Sequence, residues 1–391
     1  MSTGPTSDPA PGTLVTDPAP TPPAPGTWGL TWHGVRTVAT LELRQRIRST
    51  RWIVSLVVFG LLVGGVTTLT YLVAISAGPA VLHAGQMMFG FIVFFVLFLG
   101  LLVSPTLSAT AINGDRNAGT LATLQVTLLS AAEIVVGKLV ASWVASLAFL
   151  AVSVPFLLWA FLMGDTPVVA VLVTLLLLAV TLAVVCAVGL GFSALTARTA
   201  GSAVLTYVTV ASLTALSLVV FGLTLGLVSG SETRQVYREN PQTAYEWQDA
   251  DGTWHYEHGE CTLREETRWV SHTDRTWWLL AINPFVVVAD AMPSASSDDG
   301  FIGPRDPMSL IRYGVRVARL GPADVEVEWG CDDGSEIAEA NARDYEDVDA
   351  LSPAWPWGLG AHLLLGLGSV AFAIRRLGIP QRRLPKGTRV A

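Results

Sequence analysis

Charge is scarce in this chain of 391 residues: 14% are Asp, Glu, Lys or Arg, while 51% are hydrophobic. That balance is too apolar for a water-soluble protein of this length and fits one dissolved in lipid. Lysine is rarest of all. Lys138 and Lys386 are the only two, and arginine carries the remaining positive charge, a usage that points to a bacterium with a GC-rich genome. No H-E-x-x-H and no G-x-S-x-G occurs, which argues against an intramembrane hydrolase. A phosphate loop is also missing, because Gly137-Lys138 is followed by Leu139 and position 132 is alanine. No cofactor is therefore expected on the chain, and any use of ATP falls to a separate subunit. The N-terminus lacks the basic start and adjoining apolar run of a secretory signal, so the first apolar segment is expected to stay as an anchor.

What the chain does have is long apolar runs. A helix needs roughly 20 such residues to cross a hydrocarbon layer about 30 Å thick, since lipid offers the backbone no hydrogen-bond partners. Six stretches qualify: Ile53 to Ser76, Met87 to Ala111, Val140 to Met163, Val168 to Leu195, Ala203 to Ser229 and Trp355 to Ile374. None holds an Asp, Glu, Lys or Arg, and His362 is their only group ionisable near neutral pH. Ion-coupled pumps keep charged groups at mid-membrane, so a secondary transporter is disfavoured and energy must enter from outside the bilayer.

Arginines orient the spans. Arg36, Arg44, Arg46, Arg48 and Arg51 precede the first, which places the N-terminus in the cytoplasm. Threading onward puts Arg116 with Lys138, then Arg198, then the tail from Arg375 to Arg389 on the same side. Residues 230–352 fall outside, with 10 basic and 25 acidic residues; their net −15 against +8 elsewhere returns the total of −7. The expected plan is an all-α polytopic membrane protein of six transmembrane helices, with a small mixed or β-containing extracellular domain between helices five and six. Its parts are a disordered cytoplasmic tail over 1–27, an amphipathic interfacial helix over 28–52, and helices one to five over 53–229 with a cytoplasmic loop at 112–139. There follow an extracellular acidic domain over 230–352, helix six over 353–376 and a basic cytoplasmic tail over 377–391.

The most patterned polar stretch lies between spans two and three. It reads Gly114-Asp115-Arg116-Asn117-Ala118-Gly119-Thr120-Leu121, then Leu124, Thr127, Ser130, Glu133, Gly137 and Lys138. This resembles the signature of permease subunits in the type 2 export branch of ABC transporters. There an acidic-basic-acidic-x-Gly-Thr element opens a cytoplasmic coupling helix, and Ser-x-x-Glu-(x)3-Gly-Lys leads into the third span. Asn117 stands where the family usually has a second acid, and Leu128 where a Pro is common. The N-terminal stretch Trp32 to Arg51, with Arg44, Arg48 and Arg51 on one face, is similar to that family's interfacial helix. The resemblance implies that Asp115, Arg116, Gly119, Thr120, Ser130, Glu133, Gly137 and Lys138 couple the chain to an ABC ATPase subunit. It further implies a second copy or paralogous permease, contact with membrane lipids, no nucleic acid, and a site in the bacterial plasma membrane with both termini cytoplasmic. Independently of the family, Ser130 and Glu133 have capping-box spacing, so a helix can start there and run unbroken into span three.

In the outer segment, runs such as Val325-Glu326-Val327-Glu328-Trp329 alternate with strand period. The apolar stretch from Trp277 to Ala291, broken at Asn283-Pro284, is too short to span and reads either as a re-entrant segment or as a buried helix of the outer domain. Cys261 and Cys331 share the oxidising side, and a disulfide between them is the natural reading; Cys186 stands alone in span four. His255, Glu257, His258, Glu260 and Cys261 cluster in sequence, a pattern more often solvated than metal-binding. Hydroxyls recur on span two (Ser104, Thr106, Ser108) and span five (Thr206, Thr209, Ser212). They fit either a transport path, as the resembled family has there, or helix packing. The expected function is the membrane half of an ATP-driven exporter for an unidentified hydrophobic or amphipathic substrate. The rival is a mechanotransmitting or sensory protein that acts through its extracellular domain without transport.

Overall fold

The computed structural model describes residues 26–76, 84–119, 129–164, 166–249, 251–257, 259–293, 305–323, 325–327, 331 and 351–378. Helix α1 (Trp32–Ile47) precedes the bundle and buries one face, Gly34, Val35, Val38 and Ala39. Span one is α2 (Thr50–Ser76) and span two is α3 (Ala84–Ser108), which is followed by the short α4 (Asn113–Ala118). Span three, α5 (Ala131–Leu162), begins nine residues before its apolar core at Val140, and span four is α6 (Val168–Leu195). Span five comprises α7 (Thr199–Ala211), a π-helical turn (Ser212–Leu216) and α8 (Ser217–Val228); α12 (Trp355–Gly378) is span six. Among the described residues six helices are thus long and apolar enough to cross a membrane, and the chain is a multi-pass membrane protein.

The early start of α5 has a local cause. The Ser130 hydroxyl accepts from the Glu133 N–H at 3.0 Å, and the Glu133 carboxylate accepts from the Ser130 N–H at 2.8 Å. This reciprocal box satisfies two donors that every helix start leaves unpaired. Spans two, three and four pack tightly around Met88, Ile92, Leu97, Phe149, Leu177 and Leu178. Span five stands apart: 6% of its most apolar stretch is buried, against 56% in span two.

Between spans five and six lie β1 (Ser229–Glu239), β2 (Tyr245–Gln248), β3 (Trp254–Glu257) and β4 (Cys261–Ser271). These are followed by α9 (Trp278–Ala281), α10 (Pro284–Ala291), α11 (Pro307–Leu320) and β5 (Val325–Val327). β1 begins at the residue after α8 and pairs antiparallel with β4 along its full length and parallel with β5, giving the order β4-β1-β5. β2 and β3 form a separate hairpin. A disulfide joins Cys261 to Cys331, tying the start of β4 to the chain beyond β5.

The apolar stretch from Trp277 to Ala291 re-enters the bundle. Its break at Asn283 N-caps α10, and the Asn283 amide donates to the Thr214 carbonyl at 2.8 Å and the Ser217 hydroxyl at 3.2 Å. Ser217 lies eleven residues before the end of α8, about 16 Å down the helix at 1.5 Å per residue. Val288 and Ala289 join the same core as Met88 and Phe89 of span two, and Phe94 meets Phe285 at 5.0 Å. At the far end of the stretch, the Asp290 carboxylate accepts from the N–H groups of Ala354 and Trp355 at 2.6 and 2.8 Å and from Arg316 Nε at 2.5 Å. One buried acid therefore caps span six and holds α11.

Candidate functional site

The signature residues between spans two and three gather where α1, α4 and the start of α5 meet. Glu133 is 4% exposed although it is charged. Besides Ser130, its carboxylate accepts from the Thr31 N–H at 2.9 Å and the Thr31 hydroxyl at 2.5 Å. Thr31 is the N-cap of α1, so one carboxylate serves two helix starts. The Ser130 hydroxyl donates in turn to the Gly29 carbonyl, and the Ala132 N–H donates to the Thr27 carbonyl at 3.2 Å.

Two glycines bring α1 and α5 this close. A Cβ on Gly34 would lie 2.6 Å from Glu133 Cδ, and one on Gly137 would lie 2.6 Å from Val38 Cβ. One turn further along, Lys138 is 1% exposed and its ammonium bridges Glu42 of α1 and Asp115 of α4, the latter at 2.5 Å. Arg46 follows on α1; its guanidinium donates to the Leu107 carbonyl at 2.7 Å and the Ser142 hydroxyl at 3.3 Å. Glu133, Gly137, Lys138 and Ser142 thus form a row of contacts that fastens α1 along α5.

A second tie joins the end of span two to spans four and five. The Ser193 hydroxyl accepts from the N–H groups of Ile112 and Asn113, at 3.0 and 3.1 Å. The Asn113 amide donates to the Ser202 hydroxyl at 2.8 Å, and Ser202 donates to the Ala109 carbonyl at 2.5 Å. Helix α4 is therefore anchored at two points of its first turn, by Asn113 and by Asp115. It closes on Gly119 at φ 76°, the left-handed conformation that ends a helix cheaply only at glycine.

Of the eight residues singled out for coupling, Ser130, Glu133, Gly137 and Lys138 are buried struts inside the chain, and Asp115 is one of their anchors. Arg116 and Gly119 are half-buried on α4, while Asn117 and Ala118 beside them are exposed. Thr120 lies outside the described residues. Glu42, Asn113, Ser193 and Ser202 were not singled out. Glu42 left a usable signal, as the only acidic residue between Asp17 and Asp115, whereas the other three look like any small polar residue near a span end.

The hydroxyl rows divide. Ser104, Ser108 and Thr206 are fully buried within this single chain, and Ser104 meets Ser146 at 3.3 Å. Thr106 is exposed, and Thr209 and Ser212 are half-buried. All three donate back to a carbonyl three or four residues earlier, which keeps a hydroxyl tolerable in lipid. In the strand region, His255 pairs with Asp249 at 2.9 Å, Cys261 is taken by the disulfide, and His258 lies outside the described residues.

No curated protein matches the chain. A family model described as ABC-2 family transporter protein matches residues 36–303, well over half of the sequence, and runs from α1 past the re-entrant stretch. That family is a membrane component of transporters, not a catalytic subunit. The chain belongs to the ABC-2 family of transporter membrane proteins.

Proposed function

We propose that this chain is the permease subunit of an ATP-driven exporter and that it receives the stroke of a separate ATPase subunit on α4 and the adjoining loop. The observation that carries this reading is the bridge from Asp115 of α4 through buried Lys138 to Glu42 of α1. A force applied to α4 passes at once to span three through Lys138 and to spans four and five through Asn113, because packed helices shift as units. The exposed Asn117 and Ala118 offer the contact surface. In this reading the α1 end faces the cytoplasm of a bacterium, the sheet lies outside, and the cargo is hydrophobic or amphipathic. The unburied flank of span five fits a second copy or a paralogue, with Thr106, Thr209 and Ser212 available to a shared path.

The test is affinity purification of the tagged chain from membranes. A phosphate-loop ATPase should co-purify, and Arg116→Glu with Asn117→Trp should release it while leaving the chain folded. Absence of any ATPase, with Asp115 and Glu133 variants fully active, overturns the proposal. A second reading, mechanical work on an outer partner, draws on the direct run of α8 into β1, which transmits motion of span five to the sheet without a linker. Deleting the β2–β3 hairpin separates the two: it abolishes function in the second reading and spares transport in the first.

A further inference from the structure

Spans four and six touch along one line. A Cβ on Gly191 of span four would lie 3.0 Å from Ser369 Cβ of span six, and one on Gly366 would lie 3.4 Å from Val184. Behind this line Leu190 and Ala194 join Ala373 and Ile374 in one buried cluster, which closes the gap toward the bundle. On the exposed side the two helices leave an open cleft of about 320 Å³, bounded by residues of 188–195 and 364–372. Its only hydroxyl, on Ser369, donates to the Leu365 carbonyl of its own helix at 2.7 Å. A Cβ added to Gly368 would meet nothing within 4 Å, so no neighbour fills the wall there. The cleft extends over eight residues of span six, about 12 Å at 1.5 Å per residue, which is most of one leaflet's roughly 15 Å of hydrocarbon.

Positive charge stands at one end of this cleft. Arg375 and Arg376 follow Phe372 by three and four residues, so they sit one turn beyond it on the same face, and Arg198 follows Leu195 by three. Arg198 and Arg376 both border α4. The Arg198 carbonyl accepts from the Asn113 amide at 3.4 Å, and Arg376 is near enough to Arg116 for the two charges to repel. Among the described residues no carboxylate pairs with Arg198, Arg375 or Arg376. The acids nearby are already engaged, Glu42 and Asp115 by Lys138, and Glu133 by Thr31 and Ser130. The sequence after Gly378 adds Arg382, Arg383, Lys386 and Arg389 and no acid.

We propose that the cleft holds an anionic phospholipid, with one acyl chain against Gly191 and Gly368 and the phosphate on Arg375 and Arg376. A guanidinium presents paired donors that match phosphate oxygens, and basic pockets between membrane helices take such headgroups. The alternatives each answer half of the site. An acidic patch on an ATPase would neutralise the arginines and leave the cleft empty, and an apolar helix of a second copy would fill the cleft and leave the charges. The inference goes beyond the export reading and does not depend on it.

The experiment is native mass spectrometry of the full-length protein extracted from membranes, titrated with phosphatidylglycerol or with phosphatidylcholine of the same chains. Phosphatidylglycerol should bind more tightly. Arg375→Gln with Arg376→Gln should weaken it about thirtyfold, toward the level of phosphatidylcholine, from what two basic side chains contribute beside an anionic headgroup. Gly368→Leu should displace both lipids by filling the cleft, whereas Gly65→Leu, on the exposed flank of span one, should displace neither. Phosphatidylglycerol with a mid-chain diazirine should label residues 188–195 or 364–372 of the wild type, a readout that depends on no variant's folding. Equal binding of the two lipids, binding unchanged in Gly368→Leu, or labelling spread evenly over the other spans overturns the proposal. Gly368→Leu that lowers the oligomeric mass would assign the cleft to a second copy. An arginine pair whose loss releases a co-purified ATPase and leaves lipid bound would assign the charges to the motor. Either result also overturns it.

Discussion

Replacing Glu133 by alanine should loosen α1 from the start of span three without unfolding the bundle. The side chain accepts two hydrogen bonds from Thr31 and one from Ser130. Loss of a capping interaction costs about 1 kcal/mol. A hydrogen bond to a charged acceptor contributes about 1.5–3 kcal/mol, but Thr31 is exposed and water replaces much of it, so the pair from Thr31 counts for about 2 kcal/mol. Only the Thr31 pair bears on the docking of α1, and losing about 2 kcal/mol there, at 1.4 kcal/mol per decade, is roughly a thirtyfold rise in opening. Hydrogen exchange followed by mass spectrometry reads this directly as faster exchange in α1, with residues 140–162 of span three as internal reference. The rise should be steepest from Thr31 to Val38 and shallower toward Glu42, which Lys138 still holds. Glu133→Gln keeps an acceptor oxygen in place and should show an intermediate rise, about tenfold. Unchanged exchange in Glu133→Ala, or a glutamine variant as loose as the alanine one, refutes the role given to the carboxylate.

Three further outcomes are expected. Gly137→Ala should lower the thermal midpoint of the detergent-solubilised protein by crowding Val38, a cost of about 1–3 kcal/mol, and that cost should shrink in a Val38→Gly background, which removes the opposing Cβ. A double-mutant cycle with no coupling between the two would contradict that close approach. Asp290→Ala leaves Arg316 buried without its carboxylate and strips the start of span six of its cap, a loss of about 3–5 kcal/mol. Trypsin cleavage near Arg316 should become easy in that variant; equal protection would count against the capping role. Burial, opposed by hydrogen bonds from Ser309 and Met308, holds the Asp306 carboxyl above the usual carboxylate range. A raised folded value stabilises the protein below the unfolded pKa of about 4, and that advantage disappears as pH rises through the folded value. Asp306→Asn, itself a good N-cap, should therefore gain on the wild type from pH 4 upward in thermal melts, and a constant difference across pH would disprove the assignment.

Much of the plan was legible before any coordinates. The six apolar runs carry their own reason, since lipid forces a closed helix on about 20 residues that have no other hydrogen-bond partners. The start of span three was equally local: Ser130 and Glu133 are three residues apart, so their box needs nothing beyond the helix it opens. The strand-bearing insert could be read from its charge and alternation, though its register could not.

Tertiary structure decided what the signature residues do. As a string of letters, Glu133 and Lys138 look like charges flanking a span, and a solvated loop would show the same letters. Only the approach of α1, permitted by Gly34 and Gly137, buries them and turns them into struts. Likewise Asn283 marks a helix break in sequence but reaches a carbonyl within the π turn of span five only once the chain has folded back. Local patterns depend on neighbours a turn away. These contacts join residues 69 to 102 positions apart, and no periodicity in the sequence encodes which of them will meet.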